Sequence, residues 1–251
     1  MSSGWIVQGR VIMALILREV HTLYGSSRLG YLWAVIQTMF GIGIFWGIRE
    51  IAGARAPHGM SVLMFLLAGF GSETLTKCMS AVSGNKALLT FPQVTPLDLM
   101  LSRTVVVWGT QLSSGCVITG IAAFCGTSLY VSDWTGLFAA FLLTPLLGLG
   151  CGMLCASLAV FWPTLEKIVP MILRILFFAS GIFFSVSMFP KNIADILLLN
   201  PVMQLIELLR QSLSRGYVAP TYDYLYIVAF CVVSLCLGGL LERYARKRAE
   251  Q

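Results

Sequence analysis

Residues 134–165, WTGLFAAFLLTPLLGLGCGMLCASLAVFWPTL, form the longest stretch of this sequence without a charged side chain. A helix needs about 20 predominantly apolar residues to cross the hydrocarbon core of a bilayer. Three further uncharged runs, at 29–48, 104–132 and 224–241, are near or above that length. The whole chain is 57% hydrophobic and 11% charged, whereas soluble domains carry about 25% charged residues. The sequence therefore predicts an all-α polytopic membrane protein.

Two shorter apolar segments complete the set of predicted spans. The first starts at residue 60 and must continue through Glu73 and Lys77 to reach about residue 83, and the second contains Arg174. Six spans account for nearly the whole chain and leave no room for a separate soluble catalytic domain. We expect a single transmembrane domain, residues 1–251, with spans at 29–51, 60–83, 104–131, 134–162, 168–188 and 222–242.

The residues before the first span predict a helix at the membrane surface rather than a cleavable signal peptide. Only Val11–Leu17 is continuously apolar before Arg18 and Glu19 interrupt the run, whereas a signal peptide needs an unbroken apolar core and a small-residue cleavage site. Arg10, Arg18 and His21 fall within about 80° on a helical wheel. We expect an interfacial helix near residues 5–23, followed by a turn that ends at residue 28.

The distribution of basic residues predicts the orientation. With six spans and a cytoplasmic N-terminus, 12 lysines and arginines lie inside and 5 lie outside, which satisfies the positive-inside rule. The C-terminal segment 243–251 is then a cytoplasmic tail. Its basic run RYARKR indicates an anchor beside anionic lipid rather than a nucleic-acid site.

The chemical inventory argues against an enzyme. The chain contains no GxxxxGK[ST] phosphate loop, has 2 histidines, and places none of its 7 cysteines in a CxxC pair, so we expect no catalytic site, metal or cofactor within it. The segment GLGCGMLCAS resembles a phosphate loop only superficially. Gly148, Gly152 and Ala156 recur every four residues, a spacing that favours close helix packing.

Several polar and aromatic side chains in the spans are candidates for a transport path. Glu73 and Lys77 are four residues apart and can pair, either to permit insertion or to line a polar path; both interpretations stay open. Trp33, Gln37 and Phe40 share one face of the first span, and Phe177 and Phe184 share one face of the fifth. Such rings stack on sugars but also pack or anchor helices at headgroups.

Two connections are too structured for simple loops. The inner one, residues 83–103, has turn-forming residues around a short apolar patch and suits a short helix that docks on another protein. In the outer one, residues 189–221, Asn200 and Pro201 form a good helix start, and Glu207 and Arg210 can pair. A short helix that re-enters the outer leaflet satisfies its own backbone groups.

Three blocks of sequence resemble inner-membrane permeases of type-2 ABC exporters for capsular polysaccharide. They are LILREVHTLYGSSRLGYLWAVIQ at 15–37, GNKALLTFPQVTPLDLMLSR at 84–103, and NPVMQLIELLRQSLSRGY at 200–217. The blocks follow the order and spacing of that family, and the resemblance extends over nearly the whole chain. One departure is visible: Gln37 and Thr38 stand where related permeases carry a proline that would bend the first span.

The resemblance implies a machine of two permease copies and two copies of a separate ATPase, which binds the ATP and Mg²⁺. Lipid-linked polysaccharide would cross a Gram-negative inner membrane between the permeases, and a periplasmic adaptor and an outer-membrane channel would continue the path. Substrate-conduit candidates are Tyr31, Trp33, Gln37, Phe40, Glu73, Lys77, Phe177 and Phe184; ATPase-coupling candidates are Arg18, Glu19, Tyr24, Arg28, Asn85, Pro92, Pro96, Asp98 and Arg103; outer-gate candidates are Asn200, Pro201, Glu207 and Arg210.

The sequence alone leaves alternative functions open. The same machinery could carry O-antigen or teichoic acid, because nothing in the sequence specifies the sugar. A secondary transporter should show relays of ionisable residues or inverted repeats, and only Glu73 and Lys77 are candidates for such a relay. A membrane-embedded transferase would need more acids and histidines than the chain provides.

Overall fold

A computed structural model describes residues 4–24, 62–91, 93–124, 131–182, 184–213, 218–219 and 222–249, together with isolated positions between 32 and 44. Every regular element in these ranges is helical, which confirms the predicted class. The α-helices are α1 (Gly4–Tyr24), α2 (Val62–Ser83), α3 (Pro96–Phe124), α4 (Trp134–Phe161), α5 (Leu165–Phe178), α6 (Lys191–Leu197), α7 (Pro201–Leu213) and α8 (Tyr224–Ala249), and two 3₁₀ turns span Lys86–Thr90 and Val186–Met188.

Helix α4 lies at the centre of the bundle, between α2 and α8, and its glycines set the distance to both. A Cβ atom added at Gly148 would lie 2.7 Å from Cβ of Thr74, and one at Gly152 would lie 2.6 Å from Cβ of Cys78, both in α2. On the other side, a Cβ at Gly150 would lie 2.3 Å from Oγ of Ser234 in α8. The predicted packing role of the glycine-rich segment is confirmed, since larger side chains would push these helices apart.

Three described helices are long and apolar enough to cross a membrane: α3, α4 and α8. A fourth candidate is the pair α6 and α7, which meets the same criterion when taken together and bends by 105° at its break. The total of six spans and the re-entrant placement of the outer helices stay predictions. Most of the predicted first span, including the point about its curvature, lies outside the described residues.

Helix α5 is shorter than the span predicted at 168–188. It ends at Phe178, so its 14 residues extend only about 21 Å at 1.5 Å per residue. The chain then turns at Gly181, whose φ of 78° lies in the left-handed region that favours glycine. A Cβ there would also lie 2.3 Å from Sδ of Met203. Hydropathy alone did not indicate this turn, because the residues around it are as apolar as the helix.

The buried side chains form two clusters at opposite ends of the bundle. One surrounds α7, where Leu205, Ile206, Leu208 and Leu209 are fully buried against α4 and α8. The other lies at the end where α1 packs against α3, and it is made of Leu15, Cys78, Met79, Ala81, Leu99, Met100, Leu149, Met153 and Ala156. We refer to these ends as the α7 end and the α1 end.

Candidate functional site

At the α1 end, polar side chains join three helices at one point. Glu19 of α1 forms an ion pair with Arg103 of α3, with 2.8 Å between Oε1 and Nε. The same guanidinium donates a hydrogen bond from Nη1 to Oγ of Ser80 in α2, at 3.2 Å. Glu19 is only 7% exposed, so the pair is well shielded from solvent, and its attraction is screened less than that of a surface pair.

Two further hydrogen bonds attach α1 to the segment between α2 and α3 and to the first turn of α3. Arg18 donates to the side-chain oxygen of Asn85, and Asn85 in turn donates to the backbone oxygen of Ala81 at 3.0 Å. Near the start of α1, Gln8 donates to Oδ1 of Asp98. We call the six residues Gln8, Arg18, Glu19, Asn85, Asp98 and Arg103 the α1 junction.

Asp98 also defines where α3 begins. Its Oδ2 atom accepts from the backbone N–H of Thr95 at 2.9 Å and from the Thr95 hydroxyl at 2.8 Å, while the N–H of Asp98 reaches the Thr95 hydroxyl at 3.3 Å. This is the reciprocal capping box, with Pro96 at the first helical position. The signal TPLD was present in the sequence, and reading these residues only as ATPase contacts missed it.

The structure places most of the predicted coupling residues inside the α1 junction, not on its surface. Glu19, Asn85 and Asp98 are buried, and Arg18 and Arg103 contact partners within the protein. Tyr24 is the last residue of α1, with its side chain outside the described part; Arg28 and Pro92 are likewise outside it. The exposed residues of the inner connection beyond the junction are Lys86, Ala87, Thr90, Phe91 and Gln93. Ala87 belongs to the short apolar patch predicted from the sequence, and the other four were not among the candidates.

At the α7 end, two predicted gate residues form a fully buried ion pair. Glu207 and Arg210 are both 0% exposed and contact each other through Oε1 and Nη1. Arg210 also donates to the backbone oxygens of Gly181 and Phe184, and Glu207 accepts from the N–H of Val186 at 3.1 Å. The predicted pairing is confirmed, and it also holds the segment that follows α5 against α7.

Other contacts fix both ends of α7. Oδ1 of Asn200 accepts from the N–H of Val202 at 3.0 Å, which confirms the predicted cap before Pro201. Gln204 donates to the oxygen of Leu198 at 2.7 Å and accepts from the N–H of Asp223 at 3.0 Å. At the other end, the oxygen of Ser212 accepts from the N–H of Ser132 at 2.7 Å. Helix α7 is therefore part of the core.

The described conduit candidates do not converge on one site. Glu73 accepts a hydrogen bond from Gln111 of α3, and no ion pair between Glu73 and Lys77 occurs among the described residues. Phe177 lines a cavity of about 190 Å³ between α2, α4 and α7, whereas Phe184 packs edge-on against Phe189 with ring centres 5.1 Å apart. Trp33 and Phe40 are 58% and 70% exposed; Tyr31 and Gln37 lie outside the described residues.

Within the described part of the chain, no three histidine, cysteine or acidic side chains are grouped as a metal site would require. The six described cysteines are unpaired. The polar clusters described above join helices to one another.

Comparison with known proteins assigns the chain to a family. The ABC-2 type transporter family matches residues 10–214, and the chain belongs to it. It is 28% identical over 246 residues to the polysialic acid transport protein KpsM of Escherichia coli, covering 96% of this chain and 95% of that protein. Members are membrane permeases of transporters and are not themselves catalytic.

Two other relatives indicate how wide the similarity is. The capsule polysaccharide export inner-membrane protein CtrC of Neisseria meningitidis serogroup B is 25% identical, covering 93% of this chain and 90% of CtrC. The O-antigen export system permease protein RfbA of Klebsiella pneumoniae is 22% identical, covering 92% of this chain and 89% of RfbA. The resemblance to capsule export permeases is confirmed, and a multi-pass inner-membrane protein fits both the relatives and the apolar helices.

Proposed function

We propose that this chain is the transmembrane subunit of an ATP-driven exporter that moves lipid-linked capsular polysaccharide across the inner membrane. Two copies would work with a dimer of a separate ATPase that binds ATP and Mg²⁺, and a periplasmic adaptor and an outer-membrane channel would continue the path. The observation that carries the proposal is the α1 junction, because it joins α1 to the connection between α2 and α3 in a chain that is similar over nearly its whole length to capsule export permeases.

The α1 junction is suited to pass on a movement of the ATPase. A force on α1 or on the segment 84–95 reaches α3 through Arg103 and Asp98, and it reaches α2 through Ser80 and Ala81. Packed interiors resist deformation and transmit displacement to neighbouring elements. The α1 end and both chain termini would then lie in the cytoplasm. Helix α1 and the connection between α2 and α3 would move as one body.

The α7 end would close the path on the periplasmic side. Because Arg210 and Glu207 bind the backbone after α5, α7 and the C-terminal end of α5 would move together rather than α7 opening alone. The conduit would run between two copies, with Phe177, Phe184 and the aromatic residues of the first span along its wall.

A clean deletion tests the proposal. We expect lipid-linked polysaccharide to accumulate inside the deletion strain and to return to the surface when the gene is restored. The tagged wild-type chain should co-purify an ATPase whose hydrolysis rate in liposomes depends on this chain. Normal surface display in the deletion strain would contradict the proposal. Repeated absence of a dependent ATPase would favour a secondary transporter or a transferase instead.

The second candidate is export of O-antigen by the same machinery, which the similarity to RfbA favours; teichoic acid is a further possible cargo of that machinery. Chemical analysis of the glycan that accumulates in the deletion strain separates these candidates. Capsular polymer supports the first proposal, and O-antigen or teichoic acid supports the corresponding alternative.

A further inference from the structure

A cavity of about 460 Å³ lies at the α1 end, within the range of small-molecule and side-chain pockets. It is lined by the segment between α2 and α3 with the adjoining ends of both helices, by the C-terminal part of α4 and by the C-terminal part of α8, and it is open on one side. Its walls are mostly apolar, with Leu89 and Phe91 on one side and Val160 on the other. Among the contacts described for the α1 junction, those between Asp98 and Thr95 reach the wall of this cavity, because Thr95 lines it.

One acidic side chain lines this cavity without a full set of partners. Glu242 of α8 is only 4% exposed, and its Oε1 atom has no hydrogen-bond partner among the residues that the structure describes. Arg246, one turn further along α8, lines the same cavity and is exposed, but it does not hydrogen-bond that oxygen. A buried carboxylate oxygen without a donor is costly.

The chemistry of the cavity defines what would fill it. A lysine or arginine side chain has an aliphatic stem that suits apolar walls and a charged group that donates hydrogen bonds to a carboxylate. Such a side chain would occupy the space beside Leu89 and Val160 and supply the donor that Oε1 of Glu242 lacks.

The position of the cavity indicates which protein provides that side chain. Leu89, Phe91 and Thr95 line it, and all belong to the connection that the proposed function assigns to the ATPase. Phe91 is 59% exposed, so the apolar lining continues onto the surface.

We propose that this cavity receives a basic side chain of the partner ATPase, which forms an ion pair with Glu242. This inference rests on the proposed function, because it requires an ATPase at the α1 end. It adds a second point of contact, on α8, to the connection between α2 and α3. The last span would then follow the movement of the ATPase directly.

The test measures the affinity of the co-purified ATPase for full-length permease in nanodiscs. We expect Glu242→Gln to weaken binding by at least about tenfold, since it removes one partner of a buried charge pair. Val160→Trp should fill the cavity and weaken binding to a similar extent without changing any charge. Val233→Trp is the matched control, because Val233 is 53% exposed, Val160 is 50% exposed, and Val233 does not line the cavity.

Cross-linking then identifies the occupant. A photoreactive amino acid at position 160 should capture an ATPase peptide that contains lysine or arginine, and Glu242→Lys combined with an acidic substitution of that residue should restore binding. If the Glu242→Gln variant does not fold, the binding affinity of Val160→Trp and the cross-linked peptide test the inference instead.

Three results would overturn the inference. If wild type and both cavity variants bind the ATPase equally, or if only lipid is captured at position 160, the inference fails and the proposed function stands. If the wild-type chain binds no ATPase at all, the proposed function fails as well.

Discussion

Single side chains at both ends of the bundle connect elements that are distant in the sequence. Arg103 contacts α1 and α2 from its position in α3, and Arg210 binds two backbone oxygens that follow α5. In each case a long cationic side chain with several donors satisfies partners from different elements. These two arginines therefore determine how neighbouring helices are held relative to one another.

The buried pair at the α7 end predicts a strong asymmetry between single and double substitutions. Glu207→Ala should destabilise the protein by about 3–5 kcal/mol, since it leaves the charge of Arg210 buried without its acidic partner. Replacing both residues, as in Glu207→Leu with Arg210→Met, should cost less, because no unpaired charge is buried. Thermal unfolding in detergent measures this, with Lys191→Ala at an exposed site as the control. Equal losses in the single and double variants would contradict the prediction.

The ion pair at the α1 end predicts rescue by exchange of charges. Glu19→Arg should lower both stability and export, because it places two cations at a shielded contact, with a stability loss of about 1–3 kcal/mol. The double variant Glu19→Arg with Arg103→Glu should recover part of that loss, and a double-mutant cycle measures the coupling. His21→Arg is the control, since His21 is exposed on the same helix. A cycle with no coupling would show that the pair contributes nothing.

At the scale of elements, α4 sets the spacing of the bundle and α7 is part of its core. The glycines of α4 allow α2 and α8 to approach on two sides, while α7 is surrounded by apolar side chains along most of its length. A helix packed in this way moves with its neighbours. The gate proposed at the α7 end would therefore require several elements to move together.

The close approach of α2 and α4 predicts that Gly152 does not tolerate a methyl group. Gly152→Ala should destabilise the protein by about 1–3 kcal/mol through overpacking, since its Cβ would lie 2.6 Å from Cβ of Cys78. Gly120→Ala is the matched control, because a Cβ there meets nothing within 4 Å. Melting temperatures of the purified variants compare the two sites, and a Gly152→Ala protein as stable as wild type would show that α2 can move away at little cost.

At the scale of the whole molecule, the two ends of the bundle have different chemistry. The α1 end has a polar junction and a cavity with a buried acid, and its adjoining C-terminal tail is basic. The α7 end has a closed core around a buried ion pair. This difference between the two ends fits the proposed function, in which the protein receives force on one side of the membrane and closes a path on the other.

The proposed orientation predicts which end reagents can reach in intact cells. In a cysteine-free background, Lys191→Cys at the α7 end should react with a membrane-impermeant maleimide applied to cells with a permeabilised outer membrane. Lys86→Cys at the α1 end should react only after the inner membrane is broken, since the positive-inside rule places it in the cytoplasm. Both positions are exposed in the fold. The opposite labelling pattern would reverse the orientation.

Local sequence determined the all-helical membrane class, the packing role of the glycine-rich segment in α4, the cap at Asn200 and the pairing of Glu207 with Arg210. These features depend on hydropathy and on contacts between residues three or four apart, which a helix brings together. Residue spacing also allowed Glu73 and Lys77 to pair, but Gln111 from α3 contacts Glu73 instead, a competition that spacing alone does not show.

Only the tertiary structure decided which polar residues meet across the bundle. Gln8 and Asp98, Glu19 and Arg103, and Glu242 and its cavity are joined by packing between elements far apart in the chain. Sequence spacing carries no distance information at that range, so the blocks resembling exporter permeases predicted candidate coupling residues but not that Arg18 contacts Asn85 or that Glu19 contacts Arg103. The chain's composition thus specifies a membrane bundle of helices, and the packing of α1 against α3 and the connection before it creates the polar junction at its end.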